Sequence, residues 1–259
     1  MPGRLRDHLL ETRDTDSFPF VLSVLNEKAP RGATCVETIA ALILRSKSDP
    51  QVLEDLVRAA GWDVALAVHH NARPAVKRGD FGEMITTESV EDFDGWEVPV
   101  RKLRYQIDPN QTLPGADVVA FVRDGDGEVL GLTFLESKYR KDPPRDLAIV
   151  AHDQLAADRE RSFATTLNFM ANRLAELNEP LYASFIRYIG SGEARQDSYG
   201  VALICDRARW SDEIIHDLAG ESELLEPLLL RVAQFDELTQ LVDAVYEALA
   251  WKALDDDEQ

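Results

Sequence analysis

Val129-Leu130-Gly131-Leu132-Thr133-Phe134-Leu135-Glu136-Ser137-Lys138 opens as a run suited to burial and closes on a carboxylate and an ammonium two residues apart. On a strand, residues i and i+2 share a face, so Glu136 and Lys138 project together from a segment otherwise built for the interior. Upstream, Val118-Val119-Ala120-Phe121-Val122 reads as a second strand, joined to the first through Asp124-Gly125-Asp126-Gly127, whose residues tolerate positive φ. Asp117 stands immediately before that strand. A two-residue turn at Asp126-Gly127 sets Asp117 opposite Glu136. A turn at Gly125-Asp126, or a four-residue loop, sets it diagonal to Glu136, and a three-residue loop turns it to the other face.

Two carboxylates held close repel each other and are costly to bury, and a divalent cation removes that cost by taking oxygen ligands. Mg²⁺ is satisfied by one or two carboxylates, retains waters and accepts phosphate oxygens, which suits phosphodiester hydrolysis. Lys138 beside such an ion can orient or deprotonate the attacking water, and the Ser137 backbone carbonyl can add a ligand. The plain alternative is an ion pair on a half-exposed strand; the upstream Asp117 and the two apolar runs weigh against it.

Asp117, a hairpin and then Glu136-Ser137-Lys138 resemble the core of the PD-(D/E)XK nuclease superfamily, whose members cut DNA, less often RNA, with Mg²⁺ or Mn²⁺. The resemblance implies a mixed four-stranded sheet flanked by helices. It also implies a glutamate on a preceding helix that touches the metal–water shell, and Gly79-Asp80-Phe81-Gly82-Glu83 supplies Glu83. Within the superfamily the chain is similar to the HamA nuclease subunits of Hachiman anti-phage systems, through the Gly-x-x-Gly-Glu helix start, the Glu-Ser-Lys-aromatic strand ending in Tyr139, and the long helix that follows. The similarity runs from about Asp80 to Cys205. Pro114 departs from the pattern, standing three residues before Asp117 and not directly before it. The resemblance implies a DNA substrate and a helicase subunit as partner in a hetero-complex.

A chain of 259 residues, 45% hydrophobic and 29% charged, accommodates one α/β domain with an extension. We expect a helical N-terminal extension over 1–75 and a nuclease-like core with C-terminal helices over 76–259. No apolar leader follows Met1 and no run is long enough to span a bilayer, which points to the cytoplasm and no membrane partner. Cys35 and Cys205 supply neither a disulfide framework nor zinc-ligand spacing.

The net charge of −19 opposes the motif, because affinity for nucleic acid comes largely from Lys and Arg displacing condensed counterions. Basic residues nevertheless gather in sequence around the motif: Arg101, Lys102 and Arg104 before it, Lys138, Arg140, Lys141 and Arg145 after it. Acid concentrates elsewhere, including Glu88, Glu91, Asp92, Asp94 and the tail Asp255-Asp256-Asp257-Glu258. Such runs are ordinarily solvated faces; the sharper reading is that they restrain cutting or dock a basic partner.

Helical spacing extends over Cys35 to Leu44 and Asp49 to Val57, and a third helical stretch passes through His69 and His70. Adjacent helical histidines point about 100° apart, which argues against a shared metal. The remaining pattern predicts a strand from Val98 to Gln106, one long helix from about Asp146 to Leu177, a strand at Ser198 to Cys205 and helix from Ser211 to Leu254. His152 and Gln154 follow the motif closely enough to orient DNA or water, or are simply polar positions on an exposed turn. We expect a metal-dependent DNA nuclease acting as the effector of a defence complex. The alternatives are a non-catalytic subunit that keeps the fold, and an RNA-cleaving nuclease, since these residues address phosphate and not the 2′-OH.

Overall fold

The computed structural model describes residues 3–255 except 71, 107, 109–112, 114, 162, 178 and 193–194. The side chains of His69 and His70 and the tail beyond Asp255 lie outside the described residues. Six strands form one mixed sheet: β1 (Leu9–Asp14), β2 (Val21–Glu27), β3 (Val118–Arg123), β4 (Val129–Arg140), β5 (Gln196–Asp206) and β6 (Leu228–Phe235). Their order is β1-β2-β6-β5-β4-β3. The outer pairs β1–β2 and β3–β4 are antiparallel hairpins, and the joins β2–β6, β6–β5 and β5–β4 are parallel.

Helices cover both faces. On one face α4 (Leu147–Arg161), α5 (Phe163–Leu177), α6 (Glu179–Gly190) and α7 (Glu213–Ala219) contribute Ala151, Leu155, Leu174, Phe185 and Leu218 to a core shared with Phe121, Leu132, Phe134, Val201 and Leu230. On the other, α1 (Ala33–Lys47), α3 (Pro74–Ser89) and α8 (Leu238–Asp255) pack Ile39, Phe81, Met84 and Leu241 against Tyr139, Ile204 and Phe235. The helix α2 (Pro50–His70) is interrupted at Gly61, whose φ of 82° no α-helix accommodates.

The mixed α/β architecture agrees with the sequence, and five details correct it. The sheet has six strands, not four. The N-terminal extension is not wholly helical, because residues 9–14 and 21–27 form a hairpin that joins the same sheet. Val98 to Gln106 is not a strand: the isolated bridge from Glu97 to Phe121 comes just before it, and the segment then makes a 3-10 turn, Lys102–Tyr105. The region 211–254 is not all helix, since Leu228–Phe235 lies between β2 and β5 with every residue buried. The expected long helix is assigned as two, α4 and α5.

One glycine fixes how α3 meets the sheet. A Cβ at Gly82 would stand 3.1 Å from Ser137 Oγ and 3.5 Å from Tyr139 Cβ, so the bare backbone lets the helix lie close against β4. Thr86, one turn on, donates from Oγ1 to Ser137 Oγ at 3.0 Å and closes the contact. At the far end of α3 the buried Arg231 of β6 meets Asp94 at 2.8 Å and donates to Ser23 and Ser89, tying the N-terminal hairpin and the π-helical turn Val90–Asp94 to the centre of the sheet.

Candidate metal centre

The register of the β3–β4 hairpin decides where Asp117 falls. Val118 pairs with Leu135 and Val119 with Phe134, so Asp117, one step before Val118, stands level with Glu136. The turn reaches that register by an unforeseen route. Asp124 Oδ1 accepts from the backbone N–H groups of Asp126 and Glu128, Gly127 takes a φ of 86°, and the register then shifts between Val122 and Arg123. That irregularity restores the alignment a two-residue turn would have given.

Asp117 is held from two sides. Ser137 N–H donates to its Oδ2 at 3.0 Å, and Lys102 Nζ lies 3.8 Å from its Oδ1. Lys102 also donates to the carbonyls of Gly115 (2.9 Å) and Ala116 (3.3 Å), fixing the chain that delivers Asp117. Glu136 is 2% exposed. Its Oε1 accepts from Lys138 Nζ at 2.6 Å, while its Oε2 is buried with no hydrogen-bond partner. A buried carboxylate oxygen without a donor is costly, and it marks the place where a cation or a proton belongs. Burial, followed by the nearby Asp117 charge, pushes the Glu136 carboxyl up to about 7, against the opposing pull of Lys138.

Glu83 reaches the same cavity from α3. Burial first, and then Asp117, hold its carboxyl well above the usual carboxylate range. One turn earlier on the helix, Asp80 forms a buried ion pair with Lys47 of α1, and burial raises its carboxyl too. The cavity, about 400 Å³, brings Glu83, Asp117, Glu136, Ser137 and Lys138 together with Lys102. A larger groove of about 1150 Å³ opens between α1, α2 and the π-helical turn and contains none of these residues.

Among the described residues, no group of three or more His, Cys, Asp or Glu side chains forms a ready-made metal cluster. The donor set still fits a hard cation that keeps much of its water: two carboxylates at one level of a hairpin, one with an unengaged buried oxygen, and a third carboxyl held by burial at the cavity wall. Lys138 has a second partner that sequence reasoning only glimpsed: its Nζ donates to Gln154 Oε1 of α4 at 2.6 Å. His152, the other residue considered there, is 4% exposed and accepts from the Leu225 N–H through Nε2 at 3.0 Å, so it secures the 225 loop and does not face the cavity.

Part of the basic cluster apparent in the sequence is spent on contacts within the chain. Arg101 is buried against Glu88, Glu91 and Ser46; Arg104 donates to the Arg45 carbonyl; Arg145 pairs with Asp217 and Glu213. Arg140 donates to the carbonyl of Tyr139. Lys102 and Lys138 are the members of that cluster that line the cavity. Nothing in the spacing of Arg101 announces this, because its acidic partners come from the end of α3.

No helix among the described residues is long and apolar enough to cross a membrane. Among curated proteins no significant match to the chain is found. A family model described as HamA matches residues 63–249, a span that includes Glu83, Asp117, Glu136 and Lys138 and amounts to more than half of the sequence. The chain therefore belongs to the HamA family, a component of Hachiman anti-phage defence.

Proposed function

We propose that this chain is a metal-dependent DNA nuclease of the PD-(D/E)XK type, the effector subunit of an anti-phage complex controlled by a helicase partner. The observation that carries the reading is Glu136: a buried carboxylate with one oxygen on Lys138, the other without a partner, level with a second carboxylate across the hairpin. Packing alone gives no reason to bury that charge, since an apolar residue of similar volume is commonly as stable there or more so.

Asp117 and Glu136 would hold Mg²⁺ or Mn²⁺, with the Ser137 carbonyl as a further ligand and Glu83 reaching it through water. The ion, when bound, supplies Lewis-acid stabilisation of the phosphate charge and a more acidic water. Lys138 is stretched between Glu136 Oε1 and Gln154 Oε1, which restrains its ammonium at the mouth of the carboxylate pair. From there it can donate to a non-bridging phosphate oxygen or orient the attacking water. Lys102, anchored on two carbonyls, keeps Asp117 in register and offsets part of the carboxylate charge.

The test is cleavage by the chain co-purified with the product of the neighbouring gene. Glu136→Ala and Lys138→Ala, each shown to be folded by thermal melting, are expected to lose Mg²⁺-dependent DNA cleavage by at least 100-fold. In calorimetry on the free protein, Asp117→Asn is expected to bind Mn²⁺ more weakly than wild type. A folded Glu136→Ala, Lys138→Ala double variant that cuts at the wild-type rate would refute the assignment.

A further inference from the structure

The groove between α1, α2 and the π-helical turn plays no part in the carboxylate site, and its volume of about 1150 Å³ exceeds the roughly 300–1,000 Å³ of small-molecule pockets. Its floor is apolar, with Ala41 and Leu42 from α1 and Leu53 and Val57 from α2. From Pro50 to Gly61 no residue of α2 is buried, although Val52, Leu53, Leu56 and Val57 form one apolar stripe at helical spacing. Val52 is 54% exposed and Leu56 43%. A helix ordinarily presses such a stripe on a core. Contiguous apolar surface left open in this way, with a polar rim, marks an interaction site.

The rim gives the sign of the occupant. Glu37 lines the groove from α1 and Glu54 from α2, and among the described residues neither carboxylate has a hydrogen-bond or ion-pair partner. The cation at the centre of the lining, Arg45, is already held by Glu88 and Glu91, and Asp92 accepts from Arg6. Arg4 is the other lining cation, so the rim carries an excess of acid. That excess repels the acidic tail of this chain, and it repels a second copy with its own charge of −19. The shape gives the form of the occupant. A cleft between two helices accepts a third, whose side chains at i, i+3, i+4 and i+7 fill the apolar floor. Pro50 to Gly61, at 1.5 Å per residue, makes a wall about 18 Å long, which matches about three turns.

We propose that this groove is the surface through which the partner protein of the defence complex docks, by an amphipathic helix whose apolar face is flanked by lysine or arginine. The proposal rests on the reading of the chain as one subunit of a complex and not on its cleaving DNA. Leu53 and Val57 take the apolar face of the partner helix, and Glu37 and Glu54 meet its cations from the two walls.

Two measurements with the product of the neighbouring gene decide it. First, Glu54→Cys carries a short photo-crosslinker; Cys35 and Cys205 are both buried, so labelling is selective. Mass spectrometry of the irradiated complex is expected to find the label on a basic amphipathic helix of the partner, and not to find it there from a Leu177→Cys control at the exposed end of α5. Second, a Glu37→Lys, Glu54→Lys double variant and Leu56→Asp alter exposed side chains and are expected to melt as wild type. Each is expected to weaken association by at least tenfold, and the double variant is also expected to lose the fall in affinity with salt that wild type shows. A crosslink to a second copy of the chain or to an acidic segment, no crosslink from position 54, or folded variants that associate as wild type would each overturn the docking site while the complex itself stands. A neighbouring gene product that does not associate with the wild-type chain at all would overturn both the site and the reading of the chain as its subunit.

Discussion

At the scale of single residues, Glu136 makes a pH-dependent contribution whose sign can be worked out. Its carboxyl sits at about 7 in the folded chain against a usual 4.5, so the native state holds the proton more tightly than the unfolded chain does. Below about pH 4.5 the group is neutral in both states and costs nothing. As pH rises from 4.5 to 7 the unfolded chain releases its proton first, stability falls, and above 7 the full cost of the buried charge remains. Glu136→Gln is therefore expected to raise the unfolding free energy at pH 8, with a ceiling of roughly 3 kcal/mol reduced by the weaker bond to Lys138, and to leave it nearly unchanged at pH 4. Denaturant melts of the two proteins at both pH values check this; a variant less stable at pH 8 than at pH 4, relative to wild type, contradicts the burial argument. Asp117, Glu136 and Lys138 were legible in the sequence because alternation along an apolar strand leaves few options for a charged pair. Lys102 and Gln154 were legible only as neighbours in the chain. Their contacts depend on how the 3-10 turn and α4 dock, which no local spacing encodes.

At the scale of elements, the contact of α3 with β4 places Glu83, and the two glycines of α3 make opposite demands. Gly82→Val puts branched carbons where a Cβ is already 3.1 Å from Ser137 Oγ, and is expected to cost about 1–3 kcal/mol by overpacking, shifting the helix and weakening Mn²⁺ binding with it. Gly79→Ala, with open space around it, is expected to gain up to about 1 kcal/mol. Urea midpoints for the two variants should move in opposite directions, and equal shifts would mean that α3 is not seated as described. The β3–β4 hairpin and β5 were readable from their apolar runs and turn residues. The strand β6 was not, because Leu228–Phe235 is buried on both faces, shows no polar alternation and reads equally well as a helix core. The hairpin β1–β2 was missed because its outer strand is mostly exposed and charged, as an edge strand tends to be. Val98 to Gln106 misled because Val98 and Val100 stand two apart as on a strand, yet they pack into different clusters and the chain then enters a tight turn.

At the scale of the whole molecule, an acidic chain is set against an anionic substrate. With a net charge of −19 and Arg101 committed to buried ion pairs, the isolated protein is expected to bind duplex DNA no tighter than the roughly 10⁻⁴ to 10⁻⁶ M of non-specific association at physiological salt. Fluorescence anisotropy of a labelled duplex, with and without the neighbouring gene product, measures this. Submicromolar binding by the protein alone would remove the need for a partner to deliver the strand.

The sheet order carries one more consequence, for synthesis. Among the described residues, the strand β6, assembled from residues 228–235, is what joins the N-terminal hairpin within the sheet to the strands that bear the carboxylates. Until residues 228–235 have been made, β2 has no partner in the sheet but β1, and β5 lacks its inner neighbour. Those non-local parallel pairings wait for β6, which follows every other strand in the sequence. Arg231 arrives with the same strand to meet Asp94, which until then has Arg13 as its ion-pair partner. A product that lacks residues 228–235 is thus left without the strand that joins the two halves of the sheet.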